Sequence, residues 1–245
     1  MGEPEGPPSG TEGPPSAAEA PPSRIAGAKA RPKPKRPGRR LFQHDRAIGA
    51  RWIAGADEAG RGCLAGPLVA AAVLLDIEAL GPREVRALGQ LNDSKQHDPD
   101  AREALYPIVM RTAAKVAVVS RCVRGIDGRG LHRTNLAALR DALLRVAVPG
   151  TVCLVDGFRV GDIGYEQRAV VDGDARSAAI AAASIIAKVS RDRFMHRADE
   201  LHPGWDFRSH VGYSTPEHRA AIEARGISPL HRVSFQSAAY QQLSL

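Results

Sequence analysis

The chain is poor in cysteine and in aromatic residues. Its 245 residues include only three cysteines, Cys63, Cys122 and Cys153, which lie far apart and form no Cys-x-x-Cys pair. This spacing predicts neither a disulfide framework nor a zinc site, and it fits a reducing compartment. Aromatic residues make up 4% of the chain. Base stacking therefore cannot be the main mode of any contact with nucleic acid.

The chain also lacks an apolar segment long enough to cross a membrane. Its longest apolar runs, near residues 64–75 and 178–187, are shorter than the roughly 18 to 20 residues that a membrane span needs. The N-terminus is acidic and rich in proline, which is unlike a signal peptide. We expect a soluble cytoplasmic protein. Because no association surface is recognisable, we expect a monomer.

Positive charge is concentrated near the N-terminus. The formal net charge is +7, and residues 24–40 hold eight Lys and Arg with no acid, whereas residues 1–23 hold four Glu and no base. Residues 1–45 also hold ten of the 18 prolines and show no hydrophobic period. Such a segment cannot bury enough apolar surface to fold, so we predict a disordered leader over 1–45. Its basic half could hold phosphate backbones, or it is a plain solvated leader.

From residue 50 onward the pattern is mixed α and β. Apolar runs predict strands at residues 52–56, 68–75, 115–123, 151–155 and 168–171. Helical spacing predicts helices at residues 99–113, 131–146 and 215–225, and a long helix from Asp174 to about Glu200. Strands alternating with helices indicate an α/β protein with a mixed central sheet flanked by helices.

Four carboxylates share one sequence context. Asp57, Glu58, Asp156 and Asp174 each lie where an apolar element meets a glycine. Carboxylates brought together from different strands could hold two divalent cations, such as Mg²⁺ or Mn²⁺, for phosphoryl transfer. Each also has a structural interpretation, because Asp-Gly is a common turn and Asp is a favoured helix N-cap. Spacing alone leaves both interpretations open.

Several ordered motifs resemble those of bacterial ribonuclease HII. The first is Gly-Ala-Asp-Glu-Ala-Gly-Arg-Gly-Cys-Leu-Ala-Gly-Pro, residues 55–67. The others follow in the family's order: Asn92–Lys95, Val155–Gly157, Gly173-Asp174, Ala182–Asp192, His210–Tyr213, Glu217-His218 and His231–Phe235. The resemblance covers residues 50–236 and implies an RNase H-like fold with a small helical C-terminal extension. It makes residues 46–240 the catalytic domain and 241–245 a tail.

The resemblance implies a metal-dependent endoribonuclease. Such an enzyme cleaves RNA in RNA–DNA hybrids and nicks 5′ of ribonucleotides in duplex DNA, leaving 3′-hydroxyl and 5′-phosphate ends. By motif position, the carboxylates Asp57, Glu58, Asp156 and Asp174 are the catalytic metal ligands. The main chain of Gly60, Arg61 and Gly62 reads the 2′-hydroxyl, and Tyr213 packs on the following deoxyribose. Candidate phosphate contacts are Asn92, Ser94, Lys95, Ser184 and Lys188; the last two could instead be helix-packing residues.

Two positions depart from the family pattern. Asp172 stands where a basic residue is common, and its carboxylate could tighten metal binding or compete with Asp174. Val211 stands where a lysine commonly precedes Gly-Tyr. Neither change removes one of the four candidate catalytic carboxylates. His210, His218 and His231 are expected to pack or hydrogen-bond locally, because a two-metal mechanism needs no histidine.

Two other functions remain possible from the sequence. Ribonuclease HIII shares the catalytic core but carries a folded N-terminal substrate-binding domain, which the low-complexity leader cannot supply. A catalytically impaired hybrid-binding protein is disfavoured because all four carboxylates are present. The tail Gln242–Leu245 resembles peptides that dock on the bacterial sliding clamp, although the usual final phenylalanine is missing. A frayed tail is the simpler interpretation.

Overall fold

The computed structural model describes residues 38–91 and 97–235, and it has a five-stranded mixed sheet at its centre. The strands are β1 (Trp52–Ala59), β2 (Leu68–Asp76), β3 (Lys115–Arg121), β4 (Thr151–Asp156) and β5 (Glu166–Val170). Their order across the sheet is β3-β2-β1-β4-β5. The first three pair antiparallel, and β4 and β5 add parallel to β1. The predicted mixed α/β architecture is confirmed.

Helices cover both faces of this sheet. They are α1 (Gly38–Ala47), α2 (Pro82–Ala87), α3 (Pro99–Thr112), α4 (Val123–Arg129), α5 (Leu131–Val146), α6 (Ala178–Leu201), α7 (Phe207–His210) and α8 (Pro216–Arg225). A 3₁₀ turn over Gly173–Ala175 precedes α6. In the parts of the chain listed above, none of these helices is long and apolar enough to cross a lipid bilayer.

The end of the predicted leader is folded. Helix α1 begins at Gly38, within the segment that the sequence assigns to disorder, and it buries Leu41 and Phe42 in the main core. Its Asp45 is fully buried and accepts a hydrogen bond of 2.9 Å from the Ala179 main chain at the start of α6. The predicted boundary at residue 45 is therefore too late. The proline-rich and basic composition of this segment does not indicate a helix. Short helices such as α1 depend on tertiary contacts, which the sequence does not show.

Three local predictions differ from the structure in informative ways. Strand β3 ends at Arg121 rather than at 123, because Cys122 is the N-cap of the unpredicted helix α4. Asp57 and Glu58 lie within β1, whose pairing with β2 continues to Ala59. The N-cap of α6 is Ser177, whose hydroxyl accepts from the Ile180 main chain. The N-cap role considered for Asp174 is therefore wrong.

The sheet separates two apolar layers. Helix α6 packs on one face against Ile53 and Leu154, and α5 packs on the other face against Ala54 and Val155. Gly55 permits the close approach of α6, since a Cβ atom there would lie 2.1 Å from the Ala179 carbonyl carbon. The first ten residues of α6, 178–187, are mostly small and are all buried, as the alanine-rich sequence predicts. The backbone of α6 is thereby fixed close beside β1.

Candidate active site

Asp57 and Asp156 lie side by side on neighbouring parallel strands. The β1·β4 ladder ends with the pair Ala56 and Val155, and the two aspartates are the next residue on each strand. Adjacent strands are about 4.7–4.9 Å apart. Side chains alternate between the faces of a sheet, so both aspartates share the α6 face with Ile53 and Leu154. Asp57 and Asp156, which are distant in sequence, therefore lie next to each other on the same face of the sheet.

The turn that carries Asp174 is bonded to Asp156. The Gly173 main-chain N–H donates to Asp156 Oδ1 at 2.7 Å. Asp174 is the next residue, and it is buried with 9% exposure at the point where the turn packs against β4 and α6. The turn that carries Asp174 is thus attached to Asp156 at the end of β4.

Asp57 is buried among other acidic groups. Burial raises the pKa of Asp57 well above its ordinary value, and the charges of Glu58 and Asp156 raise it further. Two hydrogen bonds oppose this rise: one comes from the Ser184 side chain, and the other comes from the Glu58 main-chain N–H at 2.7 Å from Asp57 Oδ1. A carboxylate kept ionised in this setting needs a positive partner.

Glu58 extends from the opposite side of β1 and is joined to the following turn. Its side chain is 13% exposed, and its Oε1 lies 3.7 Å from Nη1 of Arg61. The Arg61 guanidinium also lies over the Phe158 ring at 5.8 Å, next to the Asp156-Gly157 turn. Arg61 therefore contacts both Glu58 of β1 and Phe158, which follows the end of β4.

The four carboxylates offer hard oxygen donors of the kind that Mg²⁺ and Mn²⁺ prefer. In residues 38–91 and 97–235, however, no group of three or more His, Cys, Asp or Glu side chains forms a ready-made metal cluster. The strand register fixes the main chains of Asp57 and Asp156 as neighbours. The donor chemistry therefore fits a divalent cation, and shared coordination requires rotation of the side chains.

The turn after β1 contains one glycine that the fold requires, Gly60, and one with open space beside it, Gly62. Gly60 has φ +90°, and a Cβ atom there would lie 2.0 Å from Arg191 Nε. Gly62 does not have a left-handed φ, and its Cβ atom would meet nothing within 4 Å. Gly60 is therefore required by the fold, whereas the space beside Gly62 is free for a ligand.

Tyr213 lies beside this turn and is 40% exposed. Its side chain is hydrogen-bonded with Cys63, and burial raises the pKa of the phenol. Lys188 Nζ lies 5.3 Å from the ring centroid, and the Arg191 guanidinium carbon lies 5.9 Å from it. The ring is therefore held in place while one part of it remains accessible.

The structure places Ser184 and Lys188 on α6 in defined contacts. Ser184 is buried with 4% exposure and is hydrogen-bonded with Asp57, which favours the packing role over a phosphate contact. Lys188 forms a 2.7 Å ion pair with Asp192, and burial lowers the pKa of its ammonium group. The other predicted phosphate contacts, Asn92, Ser94 and Lys95, lie outside the described residues, as does Gln242–Leu245.

The two departures from the family pattern both have left-handed backbone angles. Asp172 has φ +51° and Val211 has φ +42°. Asp172 is exposed whereas Asp174 is buried, which disfavours competition between them for one ligand position. Val211 packs with Ala65, Met195 and Phe207. Its strained conformation precedes Gly212 and Tyr213 directly.

Sequence reasoning missed two buried arginines, Arg191 and Arg232, and the partner of Tyr213, Cys63. All three lie within motifs quoted for the resemblance. Arg191 also follows Ser184 and Lys188 at helical spacing, which could have placed it on the same face of α6. Nothing local in the sequence indicates that Arg232 is fully buried.

Comparisons with known proteins agree with this geometry. The family model described as "Ribonuclease HII" matches residues 54–238. The ribonuclease HII of Rhizobium johnstonii is 46% identical over 204 residues, covering 83% of this chain and 86% of that protein. The Mycobacterium tuberculosis ribonuclease HII is 45% identical over 183 residues, covering 75% of this chain and 67% of its own length.

Two solved structures are also similar. The ribonuclease H2 of Pyrococcus horikoshii has a TM-score of 0.65 at 26% identity, covering 78% of this chain and 96% of that one. The ribonuclease HII in a PCNA complex from Archaeoglobus fulgidus has a TM-score of 0.63 at 28% identity, covering 76% and 95% of the two chains.

Proposed function

Because this chain belongs to the ribonuclease HII family, it is an endoribonuclease that degrades the RNA of RNA–DNA hybrids, and we propose that Asp57, Glu58, Asp156 and Asp174 form the catalytic centre. The resemblance predicted from the motifs is confirmed by the family match. The observation that carries the proposed centre is the adjacency of Asp57 and Asp156 at the end of the β1·β4 ladder. The turn of Asp174 is hydrogen-bonded to the second of these residues.

Asp57, Glu58, Asp156 and Asp174 would hold two divalent cations, Mg²⁺ or Mn²⁺. When bound, the cations would activate a water molecule and stabilise the charge on the leaving oxygen. The burial of Asp57 next to Glu58 and Asp156 supports this assignment, because a cation relieves their mutual repulsion. Ser184 would orient the Asp57 carboxylate, and Arg61 would restrain Glu58.

Recognition of the ribonucleotide would depend on Gly60, Arg61, Gly62 and Tyr213. The main chain of the turn would read the 2′-hydroxyl, which distinguishes RNA from DNA. Tyr213 would pack on the next deoxyribose, so the enzyme would nick on the 5′ side of an embedded ribonucleotide. The open space at Gly62 and the exposed part of the Tyr213 ring support these roles.

Phosphate contacts would position the duplex. Asn92, Ser94 and Lys95 are our candidates for these contacts, and Lys188 would join them if substrate displaces its ion pair with Asp192. We also propose that the folded catalytic domain begins no later than Gly38, since α1 contributes to the core.

The test is cleavage of a DNA duplex that contains one ribonucleotide. With Mg²⁺ or Mn²⁺, the purified protein should nick this duplex on the 5′ side of the ribonucleotide and leave an all-DNA duplex intact. The products should carry 3′-hydroxyl and 5′-phosphate ends. Binding of the ribonucleotide duplex without cleavage, over a series of divalent metals, would instead identify a catalytically impaired hybrid-binding protein.

A sliding-clamp contact through Gln242–Leu245 is a second proposal. It is supported by the tail sequence and by the Archaeoglobus fulgidus relative, whose structure is a complex with PCNA. Deletion of these four residues should abolish co-purification with the bacterial clamp and leave nicking unchanged. Unaltered clamp binding after the deletion would identify the segment as a frayed tail.

A further inference from the structure

Arg191 holds two separate segments of main chain together. Its side chain is fully buried on α6, and each of its three nitrogen atoms donates to a carbonyl group. Nε donates to Pro67 at 3.0 Å and Nη2 donates to Ala65 at 3.0 Å, both in the glycine-rich loop (Gly60–Pro67). Nη1 donates to Val211 at 2.8 Å, two residues before Tyr213. One guanidinium group thus joins the loop to the Tyr213 segment.

Arg232 holds the same loop from the C-terminal side. It is also fully buried. Its Nε and Nη2 donate to the Gly66 carbonyl at 3.1 and 2.8 Å, and its Nη1 donates to the Arg61 carbonyl at 3.1 Å. The arginine therefore fixes the carbonyl of Arg61, which lies between Gly60 and Gly62.

The main chain around the loop is paired as well. The Leu64 N–H donates to the Gly212 carbonyl at 2.8 Å, and the Gly66 N–H donates to the Leu230 carbonyl at 2.8 Å. Gly60 makes room for the first arginine, since any Cβ atom there would collide with Arg191 Nε. The loop is consequently clamped between α6, the Tyr213 segment and the C-terminal segment.

Burying two guanidinium groups in the core is unfavourable in free energy. Apolar side chains of similar volume often serve a core equally well, because burying a charge carries a desolvation penalty. Arginine offers a planar fork of donors that reaches several carbonyls at fixed angles, which neither an apolar residue nor lysine can do. The hydrogen bonds described above direct this fork at main-chain carbonyls. The benefit that fits them is a fixed loop geometry.

We propose that Arg191 and Arg232 are positioning residues that hold the glycine-rich loop in the geometry needed to read a ribonucleotide, and that Arg191 additionally couples this loop to Tyr213. The inference rests on the proposed function, in which the loop reads the 2′-hydroxyl and Tyr213 contacts the next sugar. It assigns no chemistry to either arginine.

The coupling predicts different losses for the two arginines. Replacement of Arg232 removes the hydrogen bonds to the Gly66 and Arg61 carbonyls and leaves the bond of Arg191 to Val211 in place. Cleavage of a single embedded ribonucleotide and of a long hybrid should therefore fall equally. Replacement of Arg191 also releases the Val211–Tyr213 segment. Cleavage at a single ribonucleotide should then fall more than cleavage of a long hybrid, since only the former depends on the following deoxyribose.

The first measurement uses the unaltered full-length protein. In hydrogen–deuterium exchange at neutral pH and without substrate, the amides of Leu64 and Gly66 should be protected to a similar degree as the amides of β1. Exchange of these loop amides as fast as in an unstructured peptide would overturn the proposal, whatever the variants do.

The second measurement compares R191K and R232K with R193K as the matched control. Arg193 lies two residues along the same helix, and its side chain is 51% exposed in an ion pair with Glu103. The kcat of each protein is calculated per folded molecule, with the folded fraction determined by circular dichroism. For R191K and R232K, kcat should fall at least tenfold while KM for the duplex changes less than threefold. R193K should keep wild-type values.

A purely structural role predicts another result. Lysine would then lower the folded fraction, and kcat per folded molecule would stay within twofold of the wild-type value. That outcome would contradict the positioning role. Equal substrate preference in R191K and R232K would contradict the coupling role of Arg191. Wild-type protein that shows no ribonucleotide-dependent nicking would instead refute the proposed function, and loop exchange would still report whether the arginines hold the loop.

Discussion

At the level of single residues, the glycines of the loop serve different purposes. A Cβ atom on Gly60 would collide with a buried arginine, and its left-handed φ disfavours any other residue. Gly62 is under neither constraint. From the sequence, both glycines indicate close approach of a ligand to the main chain. The structure supports this interpretation for Gly62, whereas the backbone angle and the packing of Gly60 already require a glycine there.

We expect G62A to fold normally and to cleave poorly. Its methyl group enters space that is open in the protein, so the thermal unfolding midpoint should match that of the wild type. The same methyl group should obstruct the ribose, lowering kcat/KM on a single-ribonucleotide duplex by about tenfold or more. G128A is the matched control, because Gly128 is equally open but lies in α4. Wild-type cleavage by G62A would remove this residue from the substrate site.

D57N should separate activity from stability. The substitution removes a charge from a buried acidic cluster and keeps the shape of the side chain, so the unfolding midpoint should stay equal or rise. Loss of a metal ligand should lower cleavage by more than the roughly 100-fold typical of residues that merely support a ligand. D172N, at an exposed carboxylate two residues before Asp174, should retain activity. An active D57N enzyme would exclude Asp57 from the centre.

At the level of elements, helix α6 connects the carboxylates with the recognition loop. Ser184, Lys188 and Arg191 recur at positions i, i+4 and i+7, so they share one face of the helix. Along this face they contact Asp57, Tyr213 and the loop in turn. The sequence predicts the helix from its small apolar half. It cannot show that the polar residues line the same face as the carboxylates, because that depends on the closeness of α6 to β1 at Gly55.

D45A tests the attachment of helix α1, which lies in the predicted leader. The substitution leaves the Ala179 N–H at the start of α6 without its carboxylate partner and removes a negative charge from a helix N-terminus. The free energy of unfolding in urea should fall by about 1–3 kcal/mol. The exposed E223A on α8 should change little. Equal stability of D45A and wild type would show that the contact between Asp45 and Ala179 does not stabilise the attachment of α1.

At the level of the whole molecule, the sequence predicts the strands and the fold class better than the site. Alternating apolar runs locate all five strands and the longest helices, because burial imposes those periods. Helices α1, α2, α4 and α7 escape detection, since short helices depend on tertiary contacts more than on propensity. The carboxylates are recognisable from their motifs. Their adjacency follows only from the parallel register of β1 and β4, which no local pattern specifies.

The histidine cluster predicts a pH dependence of stability. His231 Nδ1 accepts from the Ser228 main chain, so its Nε2 carries the proton and donates to His218 Nε2 at 3.0 Å. His218 Nδ1 then donates to the Tyr213 carbonyl at 2.8 Å. This chain needs both rings neutral, and burial lowers the pKa of each to about 4.

The unfolded chain therefore binds more protons than the folded protein between about pH 4 and pH 6.5. The free energy of unfolding should fall as the pH drops through this window and should level off below it. Urea titrations at pH 7, 6 and 5 check this. H218Q should show a flatter profile than the wild type. An identical slope in both proteins would mean that other groups cause the acid sensitivity.

The most direct test of the central claim is a crystal structure of the protein with Mn²⁺ and a duplex that contains one ribonucleotide, using anomalous scattering to locate the metal. We predict manganese in contact with the carboxylates of Asp57 and Asp156, with Glu58 and Asp174 completing the site beside the phosphate 5′ of the ribonucleotide. Manganese bound elsewhere, with Asp57 and Asp156 turned away from the phosphate, would contradict the account.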